Sequence, residues 1–355
     1  MTYIIAEAGV NHNGSLELAQ ELALVAKQAG ADAVKFQTFK AEKLVTKKAV
    51  QANYQIHNLG EATSQFTMLK NLELSFEEFT KLKDYCAAIG IEFLSTPFDY
   101  ESVDFLVRET KMPSIKISSS EITNLPFIYY IAIYKKPIII STGMATIEEI
   151  DDALAYIAYG LAGKKEMGEE HVDNFYQSNE AKLLLNKYVT ILHCTTEYPA
   201  PFDTINLKAM EQLRSLFNVK IGLSDHSEGI AVPIAAVALG AEVIEKHFTL
   251  DKKMHGPDHV ASLAPDELKN MINHIREIEQ ALGHGTKRPS DIELLNRAAV
   301  RKSIVASSNI AQGEVFTKDN LTIKRPGTGM NPSLYWGLIG KKATKPYYED
   351  ELIDE

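Results

Sequence analysis

Two short apolar runs, each ending abruptly in polar chemistry, constrain this chain more than any other feature. The first reads Val219-Lys-Ile-Gly-Leu-Ser-Asp-His-Ser227 and the second Val243-Ile-Glu-Lys-His-Phe-Thr249. Between them, Gly229 to Glu242 is apolar, alanine-rich and of helix length. Strand, helix, strand is the parallel crossover unit, here with its polar residues at the C-terminal tips of both strands. His226 and His247 then stand on neighbouring strands and face the same space. In a parallel barrel that rim is where active sites are built.

The rest of the chain repeats the unit. Apolar runs at Tyr3–Ala6, Ala33–Gln37, Ile91–Ser95, Ser114–Ile117, Pro137–Ser141 and Tyr188–His193 are each followed by an amphipathic pattern. Ser15 reads as the N-cap of a first helix that Gly30 stops. Ser75 with Glu78 three residues on is a capping box. Eight alternations in about 285 residues give a (β/α)8 barrel. The competing doubly wound sheet wants a Gly-rich first turn, and Ala8-Gly-Val-Asn-His-Asn-Gly14 lacks that spacing. The polar stretch from about Lys40 to Asn71 is too long for an ordinary connection and reads as a functional excursion.

After Gly283 the texture changes. The expected division is a catalytic barrel over 1–284, a Gly/Pro- and charge-rich linker over 285–297, and a small β-rich domain over 298–355 with Trp336 as its anchor. A domain that small is marginal alone and leans on something larger.

Composition narrows the function. With 45% hydrophobic residues a sizeable core is within reach. The net charge of −10 argues against nucleic acid and anionic membrane surfaces, so an anionic substrate needs a local basic pocket. Cys86 and Cys194 are too few for a disulfide framework and read as buried small hydrophobes. The N-terminus goes straight into a strand, and the longest apolar run, Ile230 to Ile244, falls short of the roughly 20 residues a membrane helix needs. The expectation is a cytoplasmic protein.

Collecting the strand ends gives a ring: Glu7; Lys35, Gln37 and Thr38; Thr96 and Phe98; Lys116, Ser119 and Glu121; Ser141 and Thr142; His193, Thr196 and Tyr198; Ser224 and His226; Lys246 and His247. Lysines and hydroxyls supply the donors that a phosphate or carboxylate needs. Two imidazoles near carboxylates suit a divalent metal such as Mn²⁺. Each residue also has a plainer reading. A strand-end His is at home as a hydrogen-bonded core residue, and Glu7 and Glu121 can serve merely as partners of the lysines. Lys35 and Lys116 lie next to strand centres, where an unpaired charge is costly.

At these residues the chain resembles the sialic acid synthase family. The likeness runs through Ile4-Ile-Ala-Glu-Ala-Gly-Val-Asn-His-Asn-Gly-Ser15, Val34-Lys-Phe-Gln-Thr-Phe39, Ser95-Thr-Pro-Phe-Asp99, Ser141-Thr-Gly-Met144, His193-Cys-Thr-Thr-Glu-Tyr-Pro199, Gly222-Leu-Ser-Asp-His226, Glu245-Lys-His-Phe-Thr249 and Gly256-Pro-Asp-His-Val-Ala-Ser262. The tail, with Gly313-Glu, Lys324-Arg-Pro-Gly and Leu338-Ile-Gly-Lys, is similar to the family's antifreeze-like (SAF) domain. The resemblance implies condensation of phosphoenolpyruvate with an N-acetylated mannosamine-type sugar, N-acetylmannosamine first, to give N-acetylneuraminate and phosphate. It implies His226 and His247 as ligands of Mn²⁺ or Mg²⁺. Lys35, Thr96 and Ser224 match residues around the carboxylate; Lys116, Ser119, Ser141 and Thr196 match those around the phosphate. Gln37, Glu121, Tyr198 and Asp258 match sugar contacts, with Phe98 a further substrate-binding candidate from the strand ends, and Arg325 matches an arginine reaching a partner barrel in a domain-swapped homodimer. Glu7 and Glu121 are the candidate proton carriers. Two positions depart from the pattern: Ser120 stands where the family usually has Gly, and Thr196 where some members have Asn.

Three rivals stand beside this reading. A legionaminic acid synthase, acting on 2,4-diacetamido-2,4,6-trideoxymannose, shares almost all these motifs. A sugar- or ice-binding protein predicts a rim without paired lysines and metal ligands. A metal hydrolase wants more ligands and no second anion pocket.

Overall fold

The computed structural model describes residues 1–60 and 63–355. The chain forms two compact units, Met1–Gly283 and His284–Glu355.

In the first unit the apolar runs become β1 (Tyr3–Gly9), β2 (Ala33–Thr38), β3 (Glu92–Pro97), β4 (Ile115–Ile117), β5 (Ile138–Ser141), β6 (Val189–Cys194), β7 (Lys220–Asp225) and β8 (Val243–His247). They make one sheet in the order β3-β2-β1-β8-β7-β6-β5-β4. The ladders within it are parallel. β3 and β4 lie side by side at the remaining seam, so the sheet curls into a nearly closed (β/α)8 barrel. The strands are rich in Ile and Val because both faces are covered: Ile4, Ile5, Val34, Ile117, Ile191, Ile221 and Ile244 have no exposed surface. Helices supply the outer layer. In α1 (Leu16–Ala29), Ser15 accepts from the Leu18 N–H, and Ala19, Leu22, Ala23 and Ala26 form the buried stripe.

The excursion after β2 is made of three short helices, α2 (Ala41–Leu44), α3 (Asn53–Leu59) and α4 (Gln65–Leu72). They precede α5 (Phe76–Ile89), whose start carries the Ser75–Glu78 capping box. Val10, Phe39, Met68 and Leu72 form a small apolar cluster here, separate from the barrel core. Among the described residues, no helix is long and apolar enough to cross a membrane.

In the second unit, β9 (Ser303–Ala306) and β10 (Leu321–Lys324) pair antiparallel. Part of the stretch expected as linker is helical, Asp291–Val300, because Ser290 and Glu293 make another capping box. Trp336 is not the anchor: it is 70% exposed, while Phe316, Tyr347 and Ile353 fill this unit's core. A single Trp draws attention in a sequence, but its size makes it hard to bury in so small a core.

Candidate active site

Successive side chains on a strand point to opposite faces, so each barrel strand sends every second residue into the lumen. β8 turns Glu245 and His247 inward, and both line a cavity of about 420 Å³ at the C-terminal end of the barrel. Lys246, between them, faces the other way. It is fully buried against Asp225, 2.6 Å from Oδ2, and also donates to the Ser227 carbonyl. The rim position read for Lys246 is therefore corrected. The same alternation removes His193, whose Nε2 lies 2.6 Å from the Ile205 carbonyl, and Thr38, whose hydroxyl pairs with Ser95 at 2.7 Å. Thr142 spends its hydroxyl on the Leu192 carbonyl at 3.0 Å.

The cavity floor is a lattice of buried charge. Lys35 Nζ sits 2.5 Å from Glu7 and 3.6 Å from Glu245, and donates to Thr96 Oγ1 at 3.1 Å. Lys116 Nζ donates to Ser141 Oγ at 2.7 Å and lies 3.5 Å from Glu245. Ser224 donates to Glu245 at 3.0 Å. Glu245 is thus the hub of the floor, and strand-end reading missed it. The signal was available: it lies two residues before His247, hence on the same face. Glu7 does pair with Lys35, as the plainer reading allowed. Burial pushes the Glu7 carboxyl upward against the pull of Lys35, and the Glu245 charge adds to the push. Burial also presses on Glu245, but Lys116 and Lys35 outweigh it and hold that carboxyl down. Burial lowers Lys116, while at Lys35 the charges of Glu245 and Glu7 outweigh burial and raise it.

The His226 and His247 rings stand 5.3 Å apart between centroids, tilted by 60°. His226 Nδ1 is 2.7 Å from the Thr195 carbonyl, so that nitrogen carries a proton and Nε2 is the one left for a ligand. Burial works against its charged form, but Cys194, the Thr195 carbonyl and Asp225 outweigh it and raise this imidazole. His247 Nδ1 is buried with no hydrogen-bond partner in the protein. Burial, the neighbouring His226 and Lys35 hold His247 well below the usual imidazole range, in its neutral form. Two neighbouring imidazoles, each with one ring nitrogen free of a protein partner, fit a divalent cation, whose binding would displace any proton held on His226. Among the described residues no third His, Cys, Asp or Glu completes a cluster, so such an ion would take its other ligands from water or substrate.

Ser119, Ser141 and Thr196 line one side of the cavity with Lys116. Gly143 belongs with them and was not singled out from the sequence. Its N–H donates to Ser119 Oγ at 2.9 Å. A Cβ there would stand 2.1 Å from Thr196 Oγ1, so only glycine lets the backbone come this close. Thr196 Oγ1 is itself buried without a partner. Ser120 turns its hydroxyl back to Ser118 at 3.1 Å.

The outer part of the cavity is lined by Gln37, Phe98, Glu121, Tyr198 and Asp258, together with the excursion. Burial raises the Glu121 carboxyl, with Asn124 donating to it at 2.7 Å. Burial pushes Asp258 up to about 6 against the nearby His226. Tyr198 packs on His226 at 4.0 Å and on Tyr54 of α3 at 4.9 Å. Asn58, one turn along α3, donates to the carbonyls of Pro257 at 2.7 Å and Tyr198 at 3.4 Å. Arg325 belongs to the second unit, where it follows β10 and is exposed.

The sequence pattern of the NeuB family matches residues 22–287, and that of the SAF domain matches 301–355. Among curated relatives, the N,N'-diacetyllegionaminic acid synthase of Campylobacter jejuni is 49% identical over 100% of this chain and 99% of its own length. The synthase of the same name from Legionella pneumophila is 46% identical over 96% of this chain and 90% of its own. A solved structure of N-acetylneuraminic acid synthetase from Leptospira borgpetersenii, in complex with citrate, is 31% identical and superposes with a TM-score of 0.68 over 83% of this chain and 90% of its own.

Proposed function

Because this chain belongs to the NeuB family, we propose that it condenses phosphoenolpyruvate with an N-acetylated mannosamine-type sugar, and that the sugar is 2,4-diacetamido-2,4,6-trideoxymannose. The product would be N,N'-diacetyllegionaminate, with phosphate released. One observation carries the choice of acceptor: end-to-end identity of 49% with a synthase of that acid, against 31% with the sialic acid synthetase. The order of preference read from the sequence, N-acetylmannosamine first, is therefore reversed.

The reaction joins C3 of the enol phosphate to the aldehyde carbon of the open-chain sugar, places a proton on the aldehyde oxygen, adds water at C2 and breaks the C2–O bond to phosphate. In our reading Lys35, Thr96 and Ser224 hold the carboxylate, and Lys116, Ser119, Ser141 and Thr196 hold the phosphate. Two anchored anionic ends leave C3 little freedom, which turns an encounter of two solutes into a directed approach. The lysines also stabilise the charge that moves onto the departing phosphate. Gln37, Phe98, Tyr198 and Asp258 orient the sugar. Glu7 and Glu121, both raised by burial, are the carboxyls we assign to proton transfer during ring opening and water addition. His226 and His247 would hold Mn²⁺ or Mg²⁺, which polarises the aldehyde oxygen when bound. A cytoplasmic homodimer, in which Arg325 closes the barrel of the partner subunit, completes the proposal. Sedimentation and the kinetics of Arg325→Ala check that part: an unchanged kcat/KM for the sugar removes it.

The deciding assay is phosphate release with phosphoenolpyruvate and each sugar, with and without chelator. The expected result is release only when both substrates are present, lost on chelation, with kcat/KM for the diacetamido sugar roughly tenfold or more above that for N-acetylmannosamine. The opposite preference restores N-acetylneuraminate synthesis. Sugar binding without phosphate release points to a binding protein.

A further inference from the structure

We propose that the excursion between β2 and α5 is the acceptor-selecting wall of the site, and that it receives the end of the sugar that carries the C6 methyl and the C4 acetamido group. The inference rests on the function proposed above and deepens it. Leu44 and Val45 from the α2 end, Met68, Leu69 and Leu72 from α4, and Phe98 after β3 line the same cavity as the charged floor. They have little part in building the barrel. Met68 and Leu72 belong to the small cluster with Val10 and Phe39, and Leu44, Leu69 and Phe98 pack on it from outside. Leu44, Val45 and Leu69 remain half-buried, with surface left for a ligand.

The two candidate acceptors differ in what they bring to such a wall. N-acetylmannosamine carries hydroxyls at C4 and C6. A hydroxyl pressed against Leu, Val and Met gives up its water without gaining a partner. The trideoxy sugar carries a methyl at C6 and an acetamido group at C4, and the methyls gain by leaving water. Gln65, at the start of α4, lines the same cavity. Its carboxamide offers N–H donors and a carbonyl acceptor, so it can pair with both the C=O and the N–H of a secondary amide. A difference of one methyl-sized group in an apolar pocket separates substrates by roughly 10- to 200-fold. The wall therefore suffices to set the preference without altering the anion-binding floor.

The test is the ratio of kcat/KM for the diacetamido-trideoxy sugar to that for N-acetylmannosamine, measured in the full-length protein and in Leu69→Gln and Leu44→Gln. Both positions are half-buried on helices and Gln is a good helix former, so the fold is kept; circular dichroism and the KM for phosphoenolpyruvate check this. The expected result is a ratio that falls roughly tenfold in each variant. A fall of less than roughly threefold in both overturns the inference. A wild-type protein that prefers N-acetylmannosamine overturns the proposed function, and this inference with it. A wild-type protein that prefers the diacetamido sugar, with variants that keep that preference, overturns this inference alone.

Discussion

The floor and the lip of the cavity are built on opposite plans. The floor is made of side chains rooted in barrel strands: Lys35, Lys116, Glu245 and His247 are each 5% exposed or less. Most have a polar neighbour within reach, and their strands are held by parallel ladders, on both sides for β2 and β8 and on one side for β4. The lip is made of helices of 4, 7 and 8 residues, too short to persist alone. Its hold on the site is a small apolar cluster, one ring contact from Tyr54 to Tyr198, and the two hydrogen bonds of Asn58. Bond making needs atoms fixed to fractions of an ångström, which a sheet supplies. Choosing among sugars needs only a surface of the right polarity, and a loop can change that without disturbing the sheet.

The largest expected effect lies behind the floor. Asp225 and Lys246 pair on the outer face of the strands that lead to His226 and His247. Lys246→Met leaves Asp225 buried and uncompensated, which costs about 3–5 kcal/mol. Urea unfolding should register this, and adding Asp225→Asn should recover much of it. The exposed Lys43–Glu101 pair beside the lip is the control: Lys43→Met should move the melting temperature little. If the two changes cost the same, the contrast between floor and lip is false. Next in size is Lys116→Ala. Loss of one aimed donor removes about 2.7–4 kcal/mol of transition-state stabilisation, roughly 10²- to 10³-fold in kcat/KM. The loss should be alike for both sugars; a sugar-dependent loss would mean the floor also selects.

The sequence revealed the floor unevenly, for a physical reason. Lys35, Lys116, Ser224, His226 and His247 were legible because polar groups stand out where an apolar run breaks. Collecting strand ends ignores the two-residue period, however, and so places Lys246 and His193 on the rim although they face outward. The same oversight hid Glu245. Applying the period downward from His247 would have exchanged Lys246 for Glu245. The lip was legible as an unusually long connection and no further. Leu44, Val45, Met68, Leu69 and Leu72 lie on separate short helices, without the sustained 3.6-residue period that reveals a buried face. Gly143 was invisible because what matters there is the absence of a side chain 2.1 Å from Thr196.

Acid probes the buried histidines outside the cavity. His12, in the turn after β1, is buried, its Nδ1 accepting from the Gly14 N–H at 3.1 Å. Burial pushes it down to about 4, against a small opposing pull from Glu78. The folded value lies below the unfolded one, so the unfolded chain takes up the proton first. Its contribution is complete above pH ~6.5 and is lost as pH falls toward about 4. Between pH 7.5 and 5.0 that amounts to about 2 kcal/mol. His259, tied to Thr249 at 2.7 Å and Asn13 at 3.2 Å, is lowered by burial to about 4 and acts in the same direction. Urea titrations at the two pH values should show His12→Asn losing about 2 kcal/mol less than the wild type. Equal losses would mean that His12 takes up its proton over the same pH range in the folded and unfolded chain, so that burial does not hold it neutral.

The smallest effect tests the lip directly. Tyr54 lines the cavity and packs on the Tyr198 ring, which in turn packs on His226. An aromatic pair contributes about 0.5–1.5 kcal/mol beyond its buried area, so Tyr54→Ala should lower kcat/KM for the sugar by roughly 2- to 12-fold. The change should fall on the KM of the sugar, because Tyr198 loses its orientation while the lysines keep theirs. Tyr54→Phe should retain most of the activity, since the ring makes the contact and, among the described residues, the hydroxyl accepts only from Gln55 at 3.4 Å. A fall in kcat with the sugar KM unmoved would mean that α3 governs the bond-making geometry itself, and the division of labour between strand and loop would fail at the residue where the two meet.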